Sequence, residues 1–484
     1  MSRKVLMIVL DQFRADLLHG PLAAYAPTPN LDALAAGATV FRNHHTVAMP
    51  CGPARASLLT GQYAMNHRAV RNGTPLSDRL PNLATAARQI GVEPLLFGYT
   101  DTQPDPAALA ERDPANRSYT GPMRGFREVV EMREEAWRWL AHLRRKGYDA
   151  PEAGAADFQR LYRPTTGALG GPALYRAEDS DTAFLTDETI AALDVRKQEE
   201  WLAFVGFIRP HPPFIAPAPY HALIDPGSLP LPDRSGLNDR PEHPFVQAYF
   251  SGPSARDMFW RFDGDHGCLV PETVAKIRAT YLGLVAEIDH HVGRLLDWLE
   301  RSGLAGETLV VVTADHGEML GDFGMWGKLT PFRAASHVPL LIRDPLAGKA
   351  CAIEDLTASI DVAPTILDWL GDAAPREMNG VSLANYMKDE ASADGRSSLM
   401  IEFELGEPEA PTRFERAWGL PASQCGVAVL ETGEFRYAHF AGGLPCMAFG
   451  DPTEPDPLLN PSSERVAAGA RRLLDHRMAN AETA

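Results

Sequence analysis

Short apolar runs alternate along the chain with longer stretches whose apolar residues recur every three or four positions. The runs Val5 to Leu10, Glu93 to Tyr99, Trp201 to Phe207 and Thr308 to Thr313 predict strands. Their alternation with helical patterns predicts an α/β fold, a mostly parallel central sheet sandwiched by helices. Between Glu272 and Glu300, residues Val274, Ile277, Tyr281, Leu284, Ile288, Val292, Leu295 and Leu299 keep helical spacing, and Gly303 follows as a stop. One long packed helix is expected there. From Thr100 to about Gly171 the chain is rich in Pro, Arg and Gly, which suggests an insertion over the sheet's edge with helix around Glu128 to Lys146. After about Gly395 the runs shorten to Leu399–Phe403, Gly426–Glu431 and Phe435–Phe440, the last two joined through Thr432-Gly433, before a helical segment near Glu464 to Arg477. That pattern fits a small α+β domain with an antiparallel sheet. The expected organisation is a large domain over 1–395 with an insertion near 100–171, and a smaller one over 396–484.

Length and composition agree: 484 residues with 45% hydrophobic content can bury one large core and a companion. The apolar run after Met1-Ser-Arg-Lys stops at Asp11, too short for a signal core or a membrane span, so a cytoplasmic location is expected. Five cysteines, Cys51, Cys268, Cys351, Cys425 and Cys446, show neither a disulfide framework nor paired zinc spacing. A formal charge of −17 and the absence of a basic run argue against nucleic-acid and membrane partners. An anionic substrate would need a local concentration of cations. Apolar helical and C-terminal surfaces leave room for a homo-oligomer.

Candidate chemistry gathers where strands end. In open parallel sheets the ligand crevice lies beyond the carboxyl ends of the strands, so Asp11 and Asp315-His316 are expected to face one site. Two carboxylates and an imidazole suit a divalent cation, although an Asp after a strand also serves as a turn or cap residue. Cys51-Gly52-Pro53-Ala54-Arg55, followed by Ala56-Ser57-Leu58-Leu59-Thr60-Gly61, reads as a helix with Pro53 in its first turn and Cys51 just before it. Free backbone N–H groups beside Cys51 would welcome an anion. The plainer reading is a buried cysteine ahead of a helix.

These residues resemble a known family. Cys51, Pro53 and Arg55 with Leu59-Thr60-Gly61 look like the signature that formylglycine-generating enzymes recognise in type I sulfatases of the alkaline phosphatase superfamily, and Asp11 and Asp315 fall at the sulfatase metal positions. The resemblance points to the branch of phosphonate monoester hydrolases and related arylsulfatases. It runs through Val9-Leu10-Asp11-Gln12, Pro50 to Arg55, Met65 to Val70, Gly98-Tyr99-Thr100 and Arg209-Pro210-His211-Pro212-Pro213-Phe214. Residues 1–395 are then the catalytic domain. The resemblance implies one divalent metal, calcium or manganese, at Asp11, Gln12, residue 51, Asp315 and His316. It makes a formylglycine-generating enzyme a partner during maturation. It gives Arg55, His211 and Lys328 the anionic group and leaving oxygen, and Asn72 and Tyr99 the substrate pocket. Gln12 and His316 replace the Asp and Asn of commoner sulfatases, as in the phosphonate hydrolase branch. Asp101 stands where that branch tends to carry a hydroxyl residue, and His67 and His44-His45 read as structural.

The implied mechanism also makes physical sense. An aldehyde at position 51 hydrates to a geminal diol; one hydroxyl attacks sulfur or phosphorus, and the other, losing its proton, expels the anion by C–O cleavage. The expected activity is hydrolysis of sulfate monoesters, aryl esters foremost, with phosphonate monoester and phosphate diester hydrolysis at the same site as the alternative. A metal phosphohydrolase acting without the modification would keep Ser or Thr and a two-metal ligand set. A non-enzymatic metal-binding protein leaves Arg55, His211 and Lys328 unexplained.

Overall fold

The computed structural model describes residues 3–118, 120–133, 136–152, 158–232, 243–252, 258–262, 269–347, 350–388, 395–449, 457–458 and 464–481. Cys268 and parts of the expected insertion lie outside them. The strands in chain order are β1 Lys4–Leu10, β2 Thr39–Phe41, β3 His44–His45, β4 Glu93–Gly98, β5 Arg127–Glu131, β6 Trp201–Phe207, β7 Thr308–Ala314, β8 Leu340–Arg343, β9 Cys351–Ile353 and β10 Thr357–Ala358. β11 Ser398–Glu404, β12 Gly426–Thr432, β13 Arg436–Phe440, β14 Met447–Phe449 and β15 Pro457–Leu458 follow. Eight of them form the central sheet in the order β5-β4-β6-β1-β7-β8-β2-β9. Only β8 runs antiparallel to its neighbours β7 and β2.

β1, β6 and β7 are buried along their whole length, which is why their sequences are nearly unbroken apolar runs rather than alternating ones. Alternate side chains of β1 feed two different cores, as the two-residue strand period demands. Leu6, Ile8 and Leu10 pack with Ile277, Leu284, Ile288 and Leu295 of the long Pro271–Arg301 helix. Val5, Met7 and Val9 pack on the opposite face with Leu58 and Leu59 of the Cys51–Thr60 helix and Ile366 of the Val362–Leu370 helix. Helices thus cover both faces, as the apolar pattern predicts.

β11 to β15 form a separate antiparallel sheet, with Thr432 and Phe435 closing the β12–β13 turn. The Glu464–Asn480 helix packs Val466 and Leu473 into its core. The expected helix around Glu128 to Lys146 is corrected: Arg127–Glu131 is the edge strand β5, parallel to β4, and only Trp137–Arg145 is helical. Val129 and Val130 favour the extended form, and β4 offers them a strand edge to pair with. Among the described residues no helix is long and apolar enough to cross a membrane.

Candidate active site

The site is built by strand register. Leu10 pairs with Ala314 on one side and Phe207 on the other, so Asp11, Asp315 and the segment 208–214 all leave the sheet at one edge. β4, pairing with β6, brings Tyr99 and Asp101 to the same edge. Asp315 is anchored by backbone: Gln12 N and His316 N donate to its Oδ1 at 3.1 and 2.9 Å. Such bonds favour the charged carboxylate.

Cys51 is the first residue of the Cys51–Thr60 helix rather than the residue before it. All ten residues of this helix are buried, and Gly61, at φ 64°, ends it. Gly52 N donates to Asn72 Oδ1 at 2.9 Å, so Asn72 caps the first turn. The Cys51 Sγ lies 3.2 Å from His316 Nε2 and 3.9 Å from Asp11 Oδ1, and Lys328 Nζ donates to it at 3.1 Å. Burial, then the charge of Asp11, push this thiol up, so it is no ready thiolate.

Arg55, fully buried one helical turn on, serves the carboxylates. Its Nε donates to Asp315 Oδ2 at 2.9 Å, one terminal nitrogen to Asp11 Oδ2 at 3.2 Å, and the other to the Tyr99 carbonyl at 2.9 Å. Tyr99 likewise supports the cage: its hydroxyl donates to Asp11 Oδ2, and its ring lies 4.0 Å below the Arg55 guanidinium. Arg55 and Tyr99, expected at the substrate, are therefore seen holding the carboxylates, and Asn72 is seen holding the helix that carries Cys51.

Lys328 also donates to Gln12 Oε1 at 3.0 Å. Glu318, which the sequence reading passed over, organises this corner. It accepts from Gln12 Nε2, and its Oε1 accepts from Gly327 N at 2.7 Å and Leu320 N at 3.0 Å. One buried carboxylate thus ties Gln12 to the loop that carries Lys328. Its position two residues after His316 was the only sequence signal.

His211 Nδ1 donates to the Pro212 carbonyl at 2.6 Å, which makes Nδ1 the protonated nitrogen of the neutral ring. Burial, then the Lys328 cation, hold this histidine well below its ordinary range, while Asp315 pulls the other way. His67 accepts from Ala69 N at 3.1 Å and bonds Ser57 Oγ at 2.9 Å. His44 bonds Thr357 and His45 bonds Asn43, at 3.0 and 3.1 Å, so these three histidines serve the fold.

Burial, then repulsion from Asp315, push Asp11 up. Burial opposes ionisation of Asp315 as well, but His316, Arg55 and Lys328 outweigh it and hold Asp315 below the usual carboxylate range. Burial lowers His316 to about 4, so its ring is neutral near pH 7. Its Nδ1 donates to the Gly317 carbonyl at 3.1 Å, which turns the Nε2 lone pair toward Cys51 and the carboxylates. One ligand atom each from Asp11, Cys51, Asp315 and His316 lies within 4.8 Å of the others. Two carboxylates crowded together beside an imidazole lone pair fit a divalent cation, which relieves their repulsion.

Comparison with known proteins agrees. The Sulfatase family profile matches residues 3–372. The multifunctional alkaline phosphatase superfamily protein PehA of Trinickia caryophylli is 36% identical over all of this chain and 96% of its own. Phosphonate monoester hydrolase SpPMH from Silicibacter pomeroyi superimposes with TM-score 0.92 at 45% identity, covering 99% of this chain and 96% of its own. The phosphonate monoester hydrolase of Agrobacterium radiobacter does so with TM-score 0.90 at 34% identity, over the same shares of the two chains. Shared fold, buried cage and full-length similarity lead to one statement: the chain belongs to the sulfatase family of the alkaline phosphatase superfamily, on its phosphonate monoester hydrolase branch.

Proposed function

We propose that this hydrolase cleaves phosphonate monoesters and phosphate diesters, with aryl sulfate monoesters as a further substrate class, through a formylglycine made from Cys51. This exchanges the order of the two activities expected from sequence. Full-length similarity to the protein named multifunctional and to two phosphonate monoester hydrolases supports the exchange. The observation that carries the reading is the Cys51 side chain at the head of a buried helix, 3.1 Å from Lys328 Nζ and inside the Asp11–Asp315–His316 cage.

Charge balance favours a singly charged substrate. Asp11 and Asp315 offset Arg55 and Lys328, and His316 is neutral. A divalent cation would add positive charge, Asp101 offsets part of it, and a monoanionic ester therefore meets less like-charge repulsion than a dianion. When bound by Asp11, Asp315, His316 and residue 51, with Gln12 beside them, such a cation supplies Lewis acidity to the oxygens around it.

The chain's own residues do the rest. The Sγ of Cys51 stands in for the nucleophilic oxygen, and Lys328 stabilises negative charge on it. Attack forms an O–P or O–S bond while the ester oxygen departs with the bonding pair and gains a proton from His211 Nε2, which must first have taken that proton up from water, since the neutral ring carries its proton on Nδ1. The second hydroxyl at position 51 then loses its proton, the C=O re-forms, and the C–O bond to the phosphonate, phosphate or sulfate breaks. Water restores the diol.

The test compares kcat/KM for an aryl phosphonate monoester, phosphate diester, sulfate monoester and phosphate monoester with one leaving group, using protein whose residue-51 peptide has been weighed by mass spectrometry. Monoanionic esters should lead, and Cys51→Ala should abolish turnover. A preference for the phosphate monoester would overturn the reading. Full activity with only thiol at position 51 would remove the nucleophile.

A further inference from the structure

Outside the cage, a buried ion pair is joined to the loop that carries His211. Arg209 is 1% exposed, and its Nε donates to Asp181 Oδ2 at 3.0 Å. Asp181 is itself immobilised at the start of the Asp181–Asp194 helix, where it accepts from Thr182 N at 2.9 Å. One terminal nitrogen of Arg209 donates to two carbonyls, those of His211 and Pro213, at 3.0 Å each. The carbonyl between them, that of Pro212, receives the His211 Nδ1 proton at 2.6 Å.

Burying this pair is a poor route to stability, because the desolvation penalty of two charges can equal or exceed their attraction. Its distinctive product is geometric. A guanidinium is a rigid planar fork, so a fixed carboxylate on one edge fixes where the other edge places its donors.

We infer that Arg209, held by Asp181, is a positioning residue for His211. By gripping the carbonyls on either side of Pro212 it aims the Pro212 carbonyl at Nδ1, and thereby sets the tautomer and the direction of Nε2. This rests on the reading that His211 serves the departing oxygen. Neither Arg209 nor Asp181 needs to touch substrate.

The experiment measures kcat/KM for aryl phosphonate monoesters of increasing phenol pKa, with metal-loaded protein of measured formylglycine content. The variants are His211→Ala, Arg209→Lys, Asp181→Asn and the double variant Arg209→Lys/His211→Ala. Lysine keeps the charge but lacks the fork, and asparagine keeps the shape but lacks the charge. His211→Ala should steepen the dependence on leaving-group pKa. Arg209→Lys and Asp181→Asn should steepen it in the same direction, losing up to about 100-fold on the poorest leaving group, the scale of a misplaced catalytic group. In the His211→Ala background, Arg209→Lys should change the rate by less than about twofold, because residues acting as one unit are not additive. A merely structural role would lower the melting temperature or the active fraction and leave the slope alone. An unchanged slope in both single variants beside a steepened His211→Ala overturns the inference by itself, as does full additivity in the double variant. If His211→Ala leaves the slope unchanged, the leaving-group reading and the inference fall together. Should Arg209→Lys not fold, the slope of Asp181→Asn decides.

Discussion

Asp101 is held in the left-handed region at φ 50°, a conformation that Asn and Asp tolerate better than most residues, and its charge adds to burial and to the charge of Asp11, which come first in raising the Cys51 thiol and the Tyr99 phenol. Under the proposed function a dianionic substrate arriving at the same edge is expected to meet that carboxylate as a like charge. Asp101→Asn keeps the shape and removes the charge. The ratio of kcat/KM for a phosphate monoester to that for a phosphonate monoester should rise roughly tenfold, equivalent to about 1.4 kcal/mol. An unchanged ratio would take Asp101 out of substrate selection. At this scale sequence and structure diverge most over Arg55 and Glu318. The motif identifies Arg55 as functional, but its donors are committed to Asp11, Asp315 and the Tyr99 carbonyl. Glu318 reads as one more acid in an acidic chain until folding surrounds it with Gln12 Nε2 and two backbone N–H groups.

Among the elements, the ends of strands matter more than their middles. Gly98 closes β4 at φ 104°, and a Cβ there would stand 2.2 Å from the Gly206 carbonyl oxygen of β6. The strand end that carries Tyr99 and Asp101 into the site therefore depends on a missing side chain. Gly98→Ala should destabilise the fold by at least about 2 kcal/mol, since it combines a disfavoured φ with a clash against backbone. Denaturant unfolding measures this, and a change within about 0.5 kcal/mol would mean that the strands separate at little cost. The four longest central strands and the long helix are visible in the sequence because each is a sustained apolar pattern. β5 is not, because the short run Arg127–Glu131 becomes a strand only by pairing with β4.

For the molecule as a whole, the junction of the long Pro271–Arg301 helix with the Asp181–Asp194 helix and the His211 loop contains a second buried acid beside Asp181. Burial, then the charge of Asp181, push Glu287 from its ordinary value of 4.5 up to about 8. Between those values the folded protein keeps a proton that the unfolded chain has released, so stability falls as pH rises through the window, by at most about 1.4 kcal/mol per pH unit. Below 4.5 both states hold the proton, and above 8 the penalty is constant. Glu287→Gln should flatten the unfolding free energy across this range and gain most on the wild type near pH 8. Equal slopes in the two proteins would show that Glu287 ionises freely in the fold. The sequence by itself determined the α/β class, the parallel central strands, the separate antiparallel sheet and the family, because periodicity and a motif spaced along one helix are local properties, and the cage of Asp11, Cys51, Asp315 and His316 was legible only through the family resemblance. Tertiary structure alone decided that Arg55 and Tyr99 brace carboxylates, that Glu318 joins Gln12 to the Lys328 loop, and that Arg209 reaches from Asp181 to His211. Those roles belong to side chains that meet across strand register and helix packing, so no stretch of sequence contains both partners.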